Sequence, residues 1–238
     1  MILSAPIYRL KREAKRLSRE ERIPLNRALD RIARREGFAS WSLLAARLAS
    51  ERPSSELLAM LEPGDMVLLG ARPGQGKTLL GLELIADAVR SGRAGVFFTL
   101  EFSESEARER LRDAVGKADR ANELLEVDAS DAIGAAHIID RLRSAPRGTV
   151  AVIDYLQLLD QNRAKPPLAE QVATLKDFAA ASGTILVFIS QIDRSYAPAA
   201  KPLPNLADVR LPNPVDLGLF DTACFLNDGK IRVDRLSA

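Results

Sequence analysis

Residues 68–85 read LLGARPGQGKTLLGLELI: an apolar run, then a stretch rich in glycine and proline, then apolar residues at helical spacing. Gly70, Gly74 and Gly76 can take backbone angles that other residues avoid, and Pro73 fixes its own. Lys77 and Thr78 follow at once. A backbone stripped of side chains between a strand and a helix is what close approach to a phosphate demands. Its N–H groups wrap the anion, Lys77 supplies a point charge for β- and γ-phosphates, and the Thr78 hydroxyl suits Mg²⁺. The candidate binding residues are Ala71, Arg72, Pro73, Gly74, Gln75, Gly76, Lys77, Thr78 and Leu79. Ala71 departs from the usual pattern, which has its first glycine there.

The surroundings of this loop set the fold class. MVLLGA, AGVFFTL, TVAVIDY and TILVFIS are nearly unbroken apolar runs, as strands covered on both faces should be. Helical stretches over 77–91, 104–116, 131–144 and 167–182 separate them. Strand and helix in alternation predict an α/β core with a mostly parallel sheet flanked by helices and right-handed crossovers.

The chain has 238 residues, 47% hydrophobic and 28% charged, enough to bury a core the size of one such domain plus a small appendage. No apolar run approaches the ~20 residues of a membrane span, and the charged start does not resemble a signal peptide. The single cysteine, Cys224, lies in the apolar TACFL and reads as a core thiol of a cytoplasmic protein. Net charge is +2, but it is unevenly spread: 13 Lys/Arg stand against 6 Asp/Glu up to Pro53, and 21 against 26 beyond it. Composition therefore divides the chain into a basic module, 1–55, and a core, 56–238.

Three helices are expected in the module. Leu10, Ala14 and Leu17 share one face, and Pro24 opens a second helix carrying Leu25, Ala28, Leu29 and Ile32 before Gly37 ends it. Phe38, Trp41, Leu44 and Leu48 complete a small core, with Ser40 as a cap. The basic face is either a nucleic-acid contact, a solvated surface, or a face docking onto the acidic remainder.

A nucleotide site also needs a carboxylate near the metal and a group that activates water. Asp154 ends the apolar strand of TVAVIDY and suits Mg²⁺ held through its water shell. Glu101, at the end of VFFTLE, can polarise an attacking water. Gln191, just past TILVFIS, places an amide where it can sense a γ-phosphate.

Taken together, ARPGQGKT, FFTLEFSESE, VIDYLQLL, ISQIDRS and LADVR occur in the order and approximate spacing of the ATPase domain of DnaB-type replicative helicases. The resemblance covers roughly residues 56–228. It implies a RecA-like P-loop fold and an ATP-driven motor on single-stranded DNA, with Lys77 and Thr78 as the phosphate-loop pair. It also implies Glu101 as catalytic glutamate, Asp154 as metal-side aspartate and Gln191 as γ-phosphate sensor. Arg110 falls where the family has an arginine after the catalytic glutamate.

Departures accompany the resemblance. Only about 55 residues precede the core, and they do not resemble the family's N-terminal domain and linker helix. Lys230 and Arg232 have the spacing of the family's trans-acting pair but follow TACFL too closely, and GKIRVDRLSA reads equally as a terminal β-hairpin. The segment 192–207, with Arg194, Tyr196 and Lys201, reads either as a single-strand contact or as a mobile surface loop. Two functions are therefore in view: a DNA-stimulated ATPase forming a ligand-dependent homo-oligomer, and a nucleotide-regulated interaction protein.

Overall fold

The computed structural model describes residues 7–50, 53–116, 123–160, 166–199, 201–211 and 213–236. It divides into two compact units, Met1–Ser55 and Glu56–Ala238.

The smaller unit holds α1 (Ile7–Glu20), α2 (Leu25–Arg35) and α3 (Trp41–Ser50). Leu10, Ala14, Ala28 and Ile32 form its buried centre, with Leu17, Leu29 and Trp41 packed around them. Pro24 caps α2 from outside and is not its first residue, and Leu25 is 40% exposed, so the stripe begins one turn later than the pattern suggests. Gly37 takes the left-handed backbone (φ +87°) that ends α2, and the Ser40 hydroxyl accepts from Leu43 N at 3.3 Å to start α3. The Leu48 side chain lies outside the described residues.

The larger unit is built on a seven-stranded sheet. Its strands are β1 (Met66–Ala71), β2 (Gly95–Thr99), β3 (Leu125–Asp128), β4 (Val150–Asp154), β5 (Ile185–Gln191), β6 (Thr222–Asn227) and β7 (Lys230–Arg235). The order is β3-β2-β4-β5-β1-β6-β7, parallel throughout except that β7 runs antiparallel to β6. The Lys230–Arg235 stretch is thus a terminal hairpin strand. Helices α4 (Pro53–Met60), α5 (Lys77–Arg90), α6 (Glu104–Val115), α7 (Ala135–Leu142) and α8 (Leu168–Ser182) complete the chain.

The apolar runs are unbroken because each strand feeds two cores. Val67, Leu69, Val152 and Val187 point into one with α5 and α6, while Met66, Leu68, Ile153 and Phe188 point into the other with α7 and α8. This is the period-2 alternation of a strand buried on both faces. Helix α5 lies close against the sheet at Gly81, where a Cβ would come within 3.0 Å of Val152 and 3.1 Å of Ile189. Cys224 is fully buried, and burial pushes its thiol up to about 12, with Asp234 adding to the shift.

Two elements differ from the sequence expectation. Helix α7 starts at Ala135 and not at 131, because Ser130 and Asp131 lie in a turn: Asp128 Oδ1 accepts from Ser130 N and Ser130 Oγ from Ala132 N. Strand β3 carries no apolar run, being only LEVD at the sheet edge with Glu126 exposed. Among the described residues no helix is long and apolar enough to cross a membrane.

Candidate functional site

The phosphate loop joins the end of β1 to the start of α5, near the middle of the sheet. Gly74 and Gly76 have φ of +77° and +87°, and a Cβ on either would point into open space. At these positions glycine is required for its conformation, and the space beside the loop stays free. Gly76 is also the N-cap of α5 and offers no side-chain cap, so the first N–H groups of the helix are left for an anion. Gly70 belongs to a different problem. It is an extended β1 residue whose added Cβ would sit 2.9 Å from the buried Phe225 ring, so it serves packing and not phosphate approach. Ala71 ends β1 in register with Gln191 and Leu226, where an extended backbone has no need of glycine.

Asp154 ends β4 opposite Thr99 of β2 and Ile189 of β5. It is fully buried, and neither carboxylate oxygen has a hydrogen-bond partner of normal geometry. Burial first and then the Glu101 charge raise its pKa from 3.8 to about 6, against the opposing pull of the Thr78 hydroxyl and Lys77. Asp154 thus identifies its own neighbours, and Lys77, Thr78, Glu101 and Asp154 share one environment. Lys77 is itself only 8% exposed. Glu101 stands in the turn after β2, where Thr99 Oγ1 accepts from its backbone N at 3.0 Å, and the Ser103–Glu106 capping box starts α6 directly afterwards. Leu79 is 58% exposed beside the loop.

A buried carboxylate with two unpartnered oxygens is costly unless a cation or donor meets it. Thr78 and Asp154 therefore fit Mg²⁺, which keeps most of its waters and takes few protein ligands. Among the described residues no group of three or more His, Cys, Asp or Glu could hold a metal, so a dedicated protein cage is not built here.

Gln191 ends β5 beside Ala71, and its Oε1 accepts from Arg210 Nη1 at 3.4 Å. The loop that follows returns alongside it. Asp193 N donates to Asp208 O at 2.8 Å and Arg210 N to Gln191 O at 2.8 Å. Gln157, in the turn after β4, donates to Arg210 O at 2.7 Å and to Ser190 Oγ at 3.2 Å. Gln157 and Arg210 are not among the sequence candidates, although both stand within the family-like motifs; an amide three residues past the β4 aspartate is the available signal.

Segment 192–207 is more ordered, where described, than either sequence reading. Tyr196 is 5% exposed, its hydroxyl donates to Lys201 O at 2.7 Å, and the Arg72 guanidinium lies 5.9 Å from its ring centre. It offers no free stacking face. Lys201 is paired with Asp208, and Arg72 donates to the Arg194 carbonyl at 3.0 Å. Of Arg194, Tyr196 and Lys201, Arg194 is left as the exposed cation. On the hairpin, Arg232 is held within its own chain by Asp234 at 2.8 Å and by the Pro204 carbonyl at 2.9 Å, and it lies over the Phe225 ring. Gln75 of the phosphate loop accepts from Asp228 N at the hairpin tip at 2.7 Å.

Comparison with known proteins finds relatives among replicative helicases. A model of the DnaB-like helicase C-terminal domain matches residues 55–123. The replicative DNA helicase DnaB of Leifsonia xyli subsp. xyli is 28% identical over 186 residues, which cover 65% of this chain and 41% of that protein. A probable plasmid replicative DNA helicase of Chlamydia trachomatis serovar L2 is 28% identical over 182 residues, covering 63% of this chain and 40% of that one. The chain therefore spans well under half the length of these relatives. A solved DnaB-like replicative helicase, described with its interactions with primase, superposes with a TM-score of 0.58 at 18% identity over 91% of this chain and 66% of its own. A solved ATPase domain gives 0.56 at 18% identity over 77% of this chain and 81% of its own. At that identity the two superpositions speak to the fold alone. The larger unit thus has the RecA-like P-loop fold of the solved DnaB-like ATPase domains, and its residues from Glu56 to 123 fall within the match to the DnaB-like helicase C-terminal domain.

Proposed function

We propose that the larger unit binds MgATP at the phosphate loop, hydrolyses it, and acts on single-stranded DNA in the cytoplasm. The observation that carries this reading is the gathering of Lys77, Thr78 and Glu101 around the unpartnered, buried Asp154. Lys77 neutralises charge on the β- and γ-phosphates, and the N–H groups of the loop and of α5 orient them. Thr78 and Asp154 would hold Mg²⁺, which when bound neutralises phosphate charge as the γ-phosphoryl group leaves. Glu101, fixed through its backbone to Thr99, orients the attacking water and accepts its proton. Gln191 meets the γ-phosphate and, through Arg210 and Gln157, links its presence to the segment ending at Val209.

Two variants test the assignment. Lys77→Ala should weaken MgATP binding at least several-fold in a folded protein, and unchanged affinity would remove the phosphate-loop reading. Glu101→Gln should keep nucleotide affinity while turnover falls by about 10²-fold or more, as loss of a positioned base predicts. A Glu101→Gln variant as active as the parent would mean that water is activated elsewhere.

A second reading, a nucleotide-regulated switch, is favoured by the occupied state of Tyr196, Lys201 and Arg232. ATP turnover measured with and without a single strand separates the two. Stimulation supports the motor, and binding without turnover supports the switch.

A further inference from the structure

The smaller unit carries a surface that the ATPase reading does not use. Arg9, Arg12, Arg16 and Arg19 are all exposed on α1. Spaced by three, four and three residues, they fall within an arc of about 80° and a length of about 15 Å. Lys15 flanks them, and these five side chains line an open groove along the helix together with Glu13 and Glu20.

Among the described residues, two ion pairs of the unit run to α2 and one lies on the stripe. Glu13 takes Arg35 at 2.7 Å and Glu21 takes Arg31, so two carboxylates of this region are engaged with arginines of α2. Only Arg16 has a carboxylate, Glu20, at 3.7 Å with both side chains more than half exposed. Among the described residues Arg9, Arg12, Lys15 and Arg19 show no ion pair. A helix evolved only to be solvated commonly alternates charge sign along its face. On this face five basic side chains stand against two carboxylates, Glu13 and Glu20, and Glu13 is engaged with Arg35.

Arginine is also preferred over lysine here, 11 to 2 in residues 1–55. Its planar fork matches phosphate oxygens two at a time. A basic amphipathic helix can instead lie on an anionic membrane, but only by inserting its apolar face. That face is already taken: Leu10 is 2% and Ala14 0% exposed, both packed on Ala28 and Ile32. What α1 leaves to a partner is charge alone.

We propose that the arginine stripe Arg9–Arg12–Arg16–Arg19 binds the phosphate backbone of a nucleic acid, in any sequence, independently of nucleotide at the phosphate loop. The proposal does not rest on the ATPase reading.

The test uses the full chain without nucleotide. Fluorescence anisotropy with a labelled 20-mer, single-stranded in one arm and duplex in the other, is followed from 50 to 200 mM salt. Substituting glutamine at all four arginines should weaken binding at least tenfold in the arm the stripe serves. The slope of log affinity against log salt should become shallower by about three, the release expected for four phosphate contacts. Substituting lysine at the same four should keep most of that slope. Circular dichroism and MgATP affinity should be the same in all three proteins, which separates loss of the stripe from loss of the fold or of the nucleotide site. The proposal is overturned if the glutamine variant binds both arms like the parent, or if the parent binds neither at 50 mM salt. It is equally overturned if vesicles rich in anionic lipid bind the parent while both nucleic acids fail.

Discussion

At the scale of single residues, Asp154 concentrates the conflict between stability and function. A carboxyl raised from 3.8 to about 6 by burial and by Glu101 withholds about 3 kcal/mol from the folded state once it is charged. The sign follows from proton binding. Between pH 3.8 and about 6 the folded chain keeps a proton that the unfolded chain has lost, so this group favours folding below that window. That advantage disappears as pH rises through the folded value. Asp154→Asn cannot ionise and should therefore match the parent near pH 3.8 and exceed it increasingly up to about pH 6. The difference should then hold constant at up to about 3 kcal/mol, read by urea unfolding of nucleotide-free protein. Saturating MgATP should stabilise the parent and close that gap, while the variant gains much less because it cannot meet the cation. Equal stability of the two proteins at pH 7.5 would mean that Asp154 is better solvated or partnered than its surroundings indicate. A binding site that is costly when empty is an expected place for strain of this kind.

At the scale of elements, the glycines of the phosphate-loop stretch serve two different needs. Gly74 and Gly76 answer to backbone conformation at a loop, whereas Gly70 answers to the Phe225 ring from the neighbouring strand. Gly70→Ala should destabilise the protein by about 1–3 kcal/mol, the usual range for overpacking a filled core. Phe225→Leu made in the same protein should recover part of that loss, and the double-mutant cycle measures the coupling directly. Simple additivity would show that the ring has room to move. Sequence alone could not separate these roles, because the Gly70–Phe225 contact joins positions 155 residues apart. The same limit hid the Asp193–Asp208 and Gln191–Arg210 backbone pairs, which turn an apparently loose Pro/Ala-rich segment into a returning arm. By contrast β1, β4 and β5 were legible as strands because burial on both faces leaves a long apolar run. Edge strand β3 was not, since its short LEVD has one exposed face position and no such run. Lys77, Thr78, Glu101, Asp154 and Gln191 were legible as candidates for a related reason: each stands where a strand ends or a helix begins, at the edge the parallel sheet offers to ligands. Tyr196 was not legible, because an aromatic beside a cation has the same composition whether it faces solvent or, as in this fold, packs inward with its hydroxyl satisfied.

At the scale of the whole molecule, the question is whether one chain completes its own site. In phosphoryl transfer an added cation on the developing γ-phosphate charge can be worth 10³–10⁵ in rate, and it often comes from a neighbouring subunit. Arg232 is a poor candidate for that task in this conformation. Its guanidinium is spent on Asp234, the Pro204 carbonyl and the Phe225 ring of its own chain. Arg232→Ala should therefore cost about 1 kcal/mol of stability through lost hydrogen bonds and ring contact, and leave any concentration dependence of turnover in place. The exposed Lys230 remains on the hairpin whose tip meets Gln75, so the hairpin is coupled to the phosphate loop whichever chain uses its cation. If catalysis draws a cation from a second copy, association must accompany activity. Light scattering with MgATP and a short single strand should then show growth beyond a dimer, with neither ligand sufficient alone, and turnover per chain should rise with protein concentration. A strict monomer whose turnover is flat across concentration would instead place every catalytic charge within one chain. Lys230→Ala divides those outcomes further: if a second copy supplies Lys230, mixing this variant with Lys77→Ala should restore turnover above either alone, since each mixed interface can pair an intact phosphate loop with an intact lysine.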